Sequence, residues 1–253
     1  MKKLGILVLA VIMMAFSVSA ASAEVVVSGD VYAGMYNKYL FRGTDLSGNQ
    51  WVSQFGADLS YKDITLSYWS NLLTHHWPGA GKDNGFDAGD ITETDITLNY
   101  SFTPIELLTF NVGNIFYSLE GYEDTDELYA KATANTLLSP TFAMYWDCKE
   151  SNSTGLFYTF SVGHSFSPVK NLSVNLGALI SYNQSNFSAQ YGTNDNYNDW
   201  HNYELSVGVD YSVTENIKLS ALYTYSNAIS KEARHIATVD DESLYGFKVA
   251  FSF

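Results

Sequence analysis

Apolar and polar side chains alternate along most of the chain, in segments of about ten residues that begin shortly after Glu24. Successive side chains of a β-strand point to opposite faces, so the alternation predicts strands with one apolar and one polar face. No stretch carries the apolar spacing of an amphipathic helix over a convincing length. The clearest segment alternates Leu172, Val174, Leu176, Ala178, Ile180 and Tyr182 with Ser173, Asn175, Gly177 and Ser181.

The connections alternate between short turns and long polar loops. Short turns fall near residues 62, 104, 138, 168 and 215. Two of these turns are predicted at Thr103–Glu106 and Ser167–Lys170. Six longer loops alternate with the short turns. The first strand is predicted at Val25–Lys38, and the first long loop around Gly43–Asn49 is expected outside the barrel. The count is twelve strands, an even number that outer-membrane barrels share. We predict an all-β fold, a transmembrane antiparallel up-and-down β-barrel; a soluble β-sandwich is the alternative.

The last segment, Ser243–Phe253, has the most regular pattern. Every odd position from 245 to 253 is apolar, and the even positions from 246 are small or charged. An exposed apolar edge strand invites aggregation in a soluble protein, whereas the closing strand of a membrane barrel can end this way. It resembles the C-terminal signature of bacterial outer-membrane barrels, which implies an assembly signal at Tyr245, Phe251 and Phe253 that the barrel-assembly machinery reads; a buried terminal strand of a sandwich is the alternative.

Aromatic residues recur beside the connections and predict two interfacial girdles. Packing between the hairpins of a soluble sandwich is the alternative explanation. One girdle is predicted at Tyr61, Phe102, Phe166, Tyr211 and Phe253, and the other at Trp51, Tyr68, Trp146 and Trp200.

The N-terminus has the features of a secretory signal peptide. Lys2 and Lys3 precede the apolar run Leu4–Phe16, and the small residues Ala21 and Ala23 flank a cleavage site. The run is too short to span a bilayer, which needs about 20 residues. We therefore predict a signal peptide at residues 1–23 and an outer-membrane barrel at 24–253, exported through the inner membrane.

Charge and cysteine content limit the function further. The chain has a net charge of −14, which becomes −16 once Lys2 and Lys3 leave with the signal peptide, so nucleic-acid binding is disfavoured. The single cysteine, Cys148, excludes an intrachain disulfide. We expect no cofactor, and we expect as partners the outer-membrane lipid and lipopolysaccharide, the assembly machinery and small solutes.

Two motifs in the chain resemble those of a known family. One is Tyr39-Leu40-Phe41-Arg42-Gly43, followed by Thr44 to Ser47, and the other is Val162-Gly163-His164-Ser165-Phe166. These motifs resemble those of the TorF-type porin family of the outer membrane. The resemblance implies an outer-membrane barrel and leaves the transported substrate open.

Charged residues in the polar phase of the strands are candidates for lining a pore. The acidic ones outnumber the basic ones, and only two arginines follow the signal peptide, which argues against a pore for acidic sugars or phosphate. We predict a passive diffusion channel for small solutes, mildly cation-preferring or neutral; the alternative is that charges pair and plug the lumen of a structural or adhesive barrel. The pore-lining candidates are Asp30, Asp58, Asp95, Lys131, Glu204, Asp210 and Lys248.

The five histidines do not predict an enzyme or a metal site. His164 lies in the outward phase, and no Ser-His-acid arrangement follows from the spacing of the others. His75 and His76 precede an acidic loop, but adjacent histidines there are more often a solvated rim. We expect neither catalytic residues nor a metal; an outer-membrane hydrolase is the third hypothesis. The acidic residues that could share a metal with His75 and His76 are Asp83, Asp87 and Asp90, and His201 and His235 are expected in or beside other outer loops.

Overall fold

The computed structural model describes residues 26–78, 85–151, 154–189 and 196–253. The predicted signal peptide lies outside the described residues. Twelve strands form one closed antiparallel barrel, which confirms the predicted fold class and strand count. The strands are β1 Ser28–Tyr36, β2 Val52–Tyr61, β3 Ile64–Leu73, β4 Ile91–Ile105, β5 Leu108–Leu119, β6 Thr125–Ala134, β7 Thr141–Asp147, β8 Leu156–Val169, β9 Leu172–Gln184, β10 Asn198–Ser212, β11 Ile217–Ala228 and β12 Glu242–Ser252.

Each strand pairs with its neighbours in sequence, and β12 pairs with β1 to close the ring. In that seam Asp30 lies opposite Ser252, and Tyr36 lies opposite Gly246. The Phe253 backbone exchanges two hydrogen bonds of 3.0 Å with Gly29 beyond the last pair. Closure removes the unpaired edge that an apolar closing strand would otherwise expose.

The alternation places apolar side chains on the outside of the barrel. Leu98, Leu176, Leu205 and Phe247 are 48–60% exposed, far more than core residues of a soluble protein. The predicted aromatic residues beside the short turns are 37–47% exposed, so their outward phase is confirmed: Tyr61, Phe102, Phe166, Tyr211 and Phe253.

Two of the predicted short turns are wrong by about two residues. Pro104 and Pro168 lie within β4 and β8, where the pairing register shifts, and the turns follow at Glu106–Leu107 and Lys170–Asn171. A bulge leaves one residue outside the hydrogen-bond ladder, so a proline without an N–H group fits there.

The opposite end of the barrel carries the long loops. A buried cluster of Tyr39, Val52, Leu73 and Phe86 packs beneath them. A second cluster includes Ala233 of the short helix α1 (Lys231–His235). Within the described ranges, no helix combines the length and apolar character needed to cross a bilayer.

Candidate functional site: the lumen and its inserted hairpin

The segment after β1 folds into the barrel instead of forming an outer loop, so the predicted loop at Gly43–Asn49 is corrected. Leu40–Phe41 pairs with Thr44–Asp45 in a small hairpin. Its two turn residues, Arg42 and Gly43, have φ values of 49° and 80°. Positive φ at both central residues is the geometry of a type I′ turn, which matches the twist of paired strands.

Backbone and side-chain hydrogen bonds close the base of this inserted hairpin. The Tyr39 N–H donates to Ser47 Oγ at 3.0 Å, and the Leu46 N–H donates to the Tyr39 carbonyl at 2.7 Å. Asp45 Oδ1 accepts from both the N–H and the hydroxyl of Ser47. The residues from 39 to 47 that resemble the porin motif therefore build one compact turn.

Arg42 fixes the tip of the hairpin to the opposite wall. Its Nη1 and Nη2 atoms donate to the two carboxylate oxygens of Glu127 on β6, at 2.9 and 2.7 Å. Burial alone would lower the pKa of the Arg42 guanidinium, but Glu127 more than offsets this and raises the pKa above its ordinary value. The guanidinium therefore stays charged, and the pair has no net charge.

Three further side chains hold Arg42 and Glu127 in place. Glu127 also accepts hydrogen bonds from Tyr117 at 2.8 Å and from Asn186 at 2.9 Å. His201 Nε2 lies 2.6 Å from the Arg42 carbonyl oxygen, which can only accept, so the imidazole proton is on Nε2. His201 is buried in β10 beside the hairpin, whereas its predicted place is in or beside an outer loop.

A cavity of about 430 Å³ lies against the inserted hairpin. Asp95, Lys131 and Glu204, three of the predicted pore-lining residues, line it. Asp95 is on β4 and Glu204 on β10, which are six strands apart in the ring of twelve. The two carboxylates therefore lie on opposite walls of the lumen.

The other predicted pore-lining residues lie elsewhere along the lumen. Asp210 and Lys248 line a second cavity of about 260 Å³. Asp30 and Asp58 are direct cross-strand partners on β1 and β2. The Lys248 Nζ atom lies 5.1 Å from the Tyr32 ring centroid. These placements agree with the inward phase; a role in conduction stays a prediction.

Sequence reasoning missed two important groups, Arg42 as a lumen residue and Glu127. Glu127 shares the inward phase of β6 with Lys131, so the alternation contained the signal for it. The inserted hairpin also has a signal in the sequence, although a weaker one. An outer loop seldom carries so many apolar residues as this segment does, which has Tyr39, Leu40, Phe41 and Leu46.

In the described part of the loop after β3, one histidine pairs with an aspartate. His76 Nδ1 lies 2.9 Å from Asp87 Oδ1, and both side chains are more than half exposed. Among the described residues, no group of three or more His, Cys, Asp or Glu side chains could hold a metal ion; Asp83 lies outside them. The expectation that the chain is not an enzyme stays a prediction.

Known structures share this architecture. The NanC porin aligns with a TM-score of 0.56 at 13% identity, over 88% of this chain and 98% of that one. The KdgM porin gives 0.53 at 12% identity, over 89% and 99%. The COG4313 outer membrane channel from Pseudomonas putida F1 gives 0.54 at 9%, over 94% and 98%. The chain has the fold of these porins.

No protein-family model matches the chain, and no curated protein matches it. At such low identities the structural likeness establishes the fold alone. The resemblance to the TorF-type family therefore stays a prediction.

Proposed function

We propose that the protein is an outer-membrane channel for passive diffusion of small solutes. The observation that supports it best is a lumen with a cavity of about 430 Å³, lined by charged residues such as Asp95, Lys131 and Glu204, inside a closed barrel with an apolar outer surface. Only such closed barrels and helices satisfy all backbone groups in a bilayer. Twelve strands about 4.8 Å apart and tilted about 40° give a backbone radius of roughly 12 Å, so inward side chains leave a narrow path.

The lumen charges favour cations or neutral solutes. Asp95 and Glu204 face each other across the larger cavity, and its basic residue Lys131 forms no ion pair with any other described residue. Arg42 contributes no net charge because Glu127 balances it. One structure of the KdgM porin is in complex with disordered oligogalacturonate. We infer that this chain, despite the shared fold, disfavours such polyanions.

A barrel without transport is the second candidate. The observation in its favour is the inserted hairpin, which contacts Trp69, Tyr117, Glu127 and His201 on four different strands and so crosses the lumen. A structural or adhesive role would need only the barrel and its loops.

Liposome swelling distinguishes the two candidates. Purified barrel in liposomes should admit small neutral sugars and basic amino acids faster than acidic sugars of equal mass. Empty liposomes and liposomes with the Asp95→Asn variant are the controls, and the variant should narrow the difference between basic and acidic solutes. Swelling no faster than in empty liposomes, for every solute, would favour the non-transporting barrel.

Localisation and export belong to the same proposal. We infer cleavage after Ala23, assembly through the C-terminal signal ending at Phe253, residence among outer-membrane lipid and lipopolysaccharide, and membership of the TorF-type family. Mass spectrometry of the mature protein from the outer-membrane fraction should give an N-terminus at Glu24. An uncleaved chain, or a chain in the soluble fraction, would contradict this.

A further inference from the structure

Asp95 lies between two aromatic residues of the neighbouring strands. It is in register with Trp69 on β3 and with Tyr117 on β5, and all three line the larger cavity. The hairpin adds Tyr39, whose ring centroid is 5.3 Å from that of Trp69, and Phe41, whose ring centroid is 6.2 Å from that of Tyr117. A carboxylate and four aromatic rings therefore share one wall of the cavity.

The Asp95 carboxylate is incompletely satisfied. Its Oδ1 atom is buried and has no hydrogen-bond partner among the described residues, a costly condition for a polar atom. The neighbouring Glu93 side chain hydrogen-bonds the Asp95 carboxyl. Two carboxyl groups this close need a proton or a cation to offset their repulsion. Neither forms a salt bridge within the described ranges.

Arg42 shows how the same lumen holds an organic cation. Its guanidinium carbon lies 4.9 Å from the ring centroid of Phe41, 5.2 Å from that of Tyr145 and 4.3 Å from that of Phe157. The Glu127 carboxylate completes that arrangement. Asp95 with its aromatic neighbours repeats the combination of rings and a carboxylate, but there it borders open cavity.

The charges around the cavity also favour a cation. Arg42 and Glu127 cancel, and the hydrogen-bonded Glu93–Asp95 pair holds one proton, which leaves one negative charge on that pair and one on Glu204 against Lys131. The Lys131 Nζ atom lies 4.8 and 5.5 Å from the ring centroids of Tyr129 and Tyr145, on β6 and β7, two or more strands away from Asp95. This lysine therefore does not occupy the aromatic site at Asp95.

We propose that the cavity wall at Asp95 binds small organic cations of the alkylammonium or guanidinium class. The inference deepens the proposed channel function, since such cations would be the preferred solutes. The Asp95 carboxylate binds the positive charge, and the adjoining half-buried Trp69 ring favours a cation over a neutral molecule of the same shape. The volume of about 430 Å³ is within the range of small-ligand sites.

Calorimetric titration of the purified barrel in detergent tests the site without requiring conduction. The probes are tetramethylammonium and guanidinium chlorides, with tert-butanol and urea as neutral analogues, at constant ionic strength. Both cations should bind and the neutral analogues should not. Asp95→Asn should weaken cation binding about tenfold or more. Asp210→Asn, which neutralises an aspartate of the second cavity, should leave it unchanged.

A second pair of variants tests the site independently of Asp95→Asn. Heat-modifiable mobility shows whether each variant is folded. Trp69→Leu should weaken tetramethylammonium binding severalfold, whereas Trp146→Leu, on the outer surface, should not. Equal binding of urea and guanidinium, or wild-type affinity in folded Asp95→Asn, overturns the proposal. Binding without liposome swelling supports the site and refutes the channel; swelling without binding refutes the site alone.

Discussion

Replacing Arg42 by alanine should loosen the inserted hairpin and open the lumen. The substitution removes both hydrogen bonds from the guanidinium to Glu127, at 2.9 and 2.7 Å, and the bond of 2.8 Å to Asn186. The Glu127 side chain is fully buried and would keep only the neutral donors Tyr117 and Asn186. Breaking a buried ion pair in this way costs about 3–5 kcal/mol.

Two measurements test this prediction. Urea unfolding in detergent, followed by heat-modifiable mobility, should show a lower free energy of unfolding for Arg42→Ala, and planar bilayers should show a larger single-channel conductance. Replacing both partners, in Arg42→Met with Glu127→Leu, should cost less than the sum of the single changes, because no buried charge is left unpaired.

Arg234→Ala is the matched control. Arg234, on α1, pairs with Asp240, and both side chains are exposed; exposed ion pairs contribute little. This variant should therefore keep the wild-type stability and conductance. If Arg42→Ala also keeps both, the hairpin is not held by the Arg42–Glu127 pair and the reasoning is refuted.

Three further predictions concern the wall, a loop and the C-terminus. Leu176→Arg, on the outer face, should cost about 2–4 kcal/mol or block assembly, whereas Asn175→Arg, facing the lumen, should be tolerated; equal effects would show that the alternation is misread. Burial and then Asp126 raise the pKa of the Cys148 thiol, so less thiolate is present at pH 8; maleimide labelling should be slow there and faster in Asp126→Asn. Deletion of Phe253 should lower the amount of barrel in outer membranes more than it lowers refolding in detergent, and equal losses would argue against an assembly signal.

The strands could be predicted because their signal is local. A period of two in a half-buried strand needs only neighbouring residues, and in β9 it gives both the strand and its outward face. The ends of strands were less predictable, as at Pro104 and Pro168, because a bulge depends on the partner strand.

The inserted hairpin could not be predicted in the same way. Arg42 meets Glu127 across 85 positions of sequence and His201 across 159, and no local pattern encodes such contacts. The need for glycine at position 43 also depends on residues distant in sequence, because a Cβ atom there would lie 2.9 Å from both Asn202 and Val239. Only the closed barrel brings these residues together.

The reversal potential of the purified barrel in a planar bilayer, under a salt gradient, tests the central claim most directly. We expect cation preference that weakens toward 1 M salt, where the Debye length is about 3 Å. The preference should weaken in Asp58→Asn combined with Glu204→Gln, which removes two lumen carboxylates and leaves Asp95 in place. Anion selectivity, or no conductance across many insertions, would contradict the account of an acidic diffusion channel.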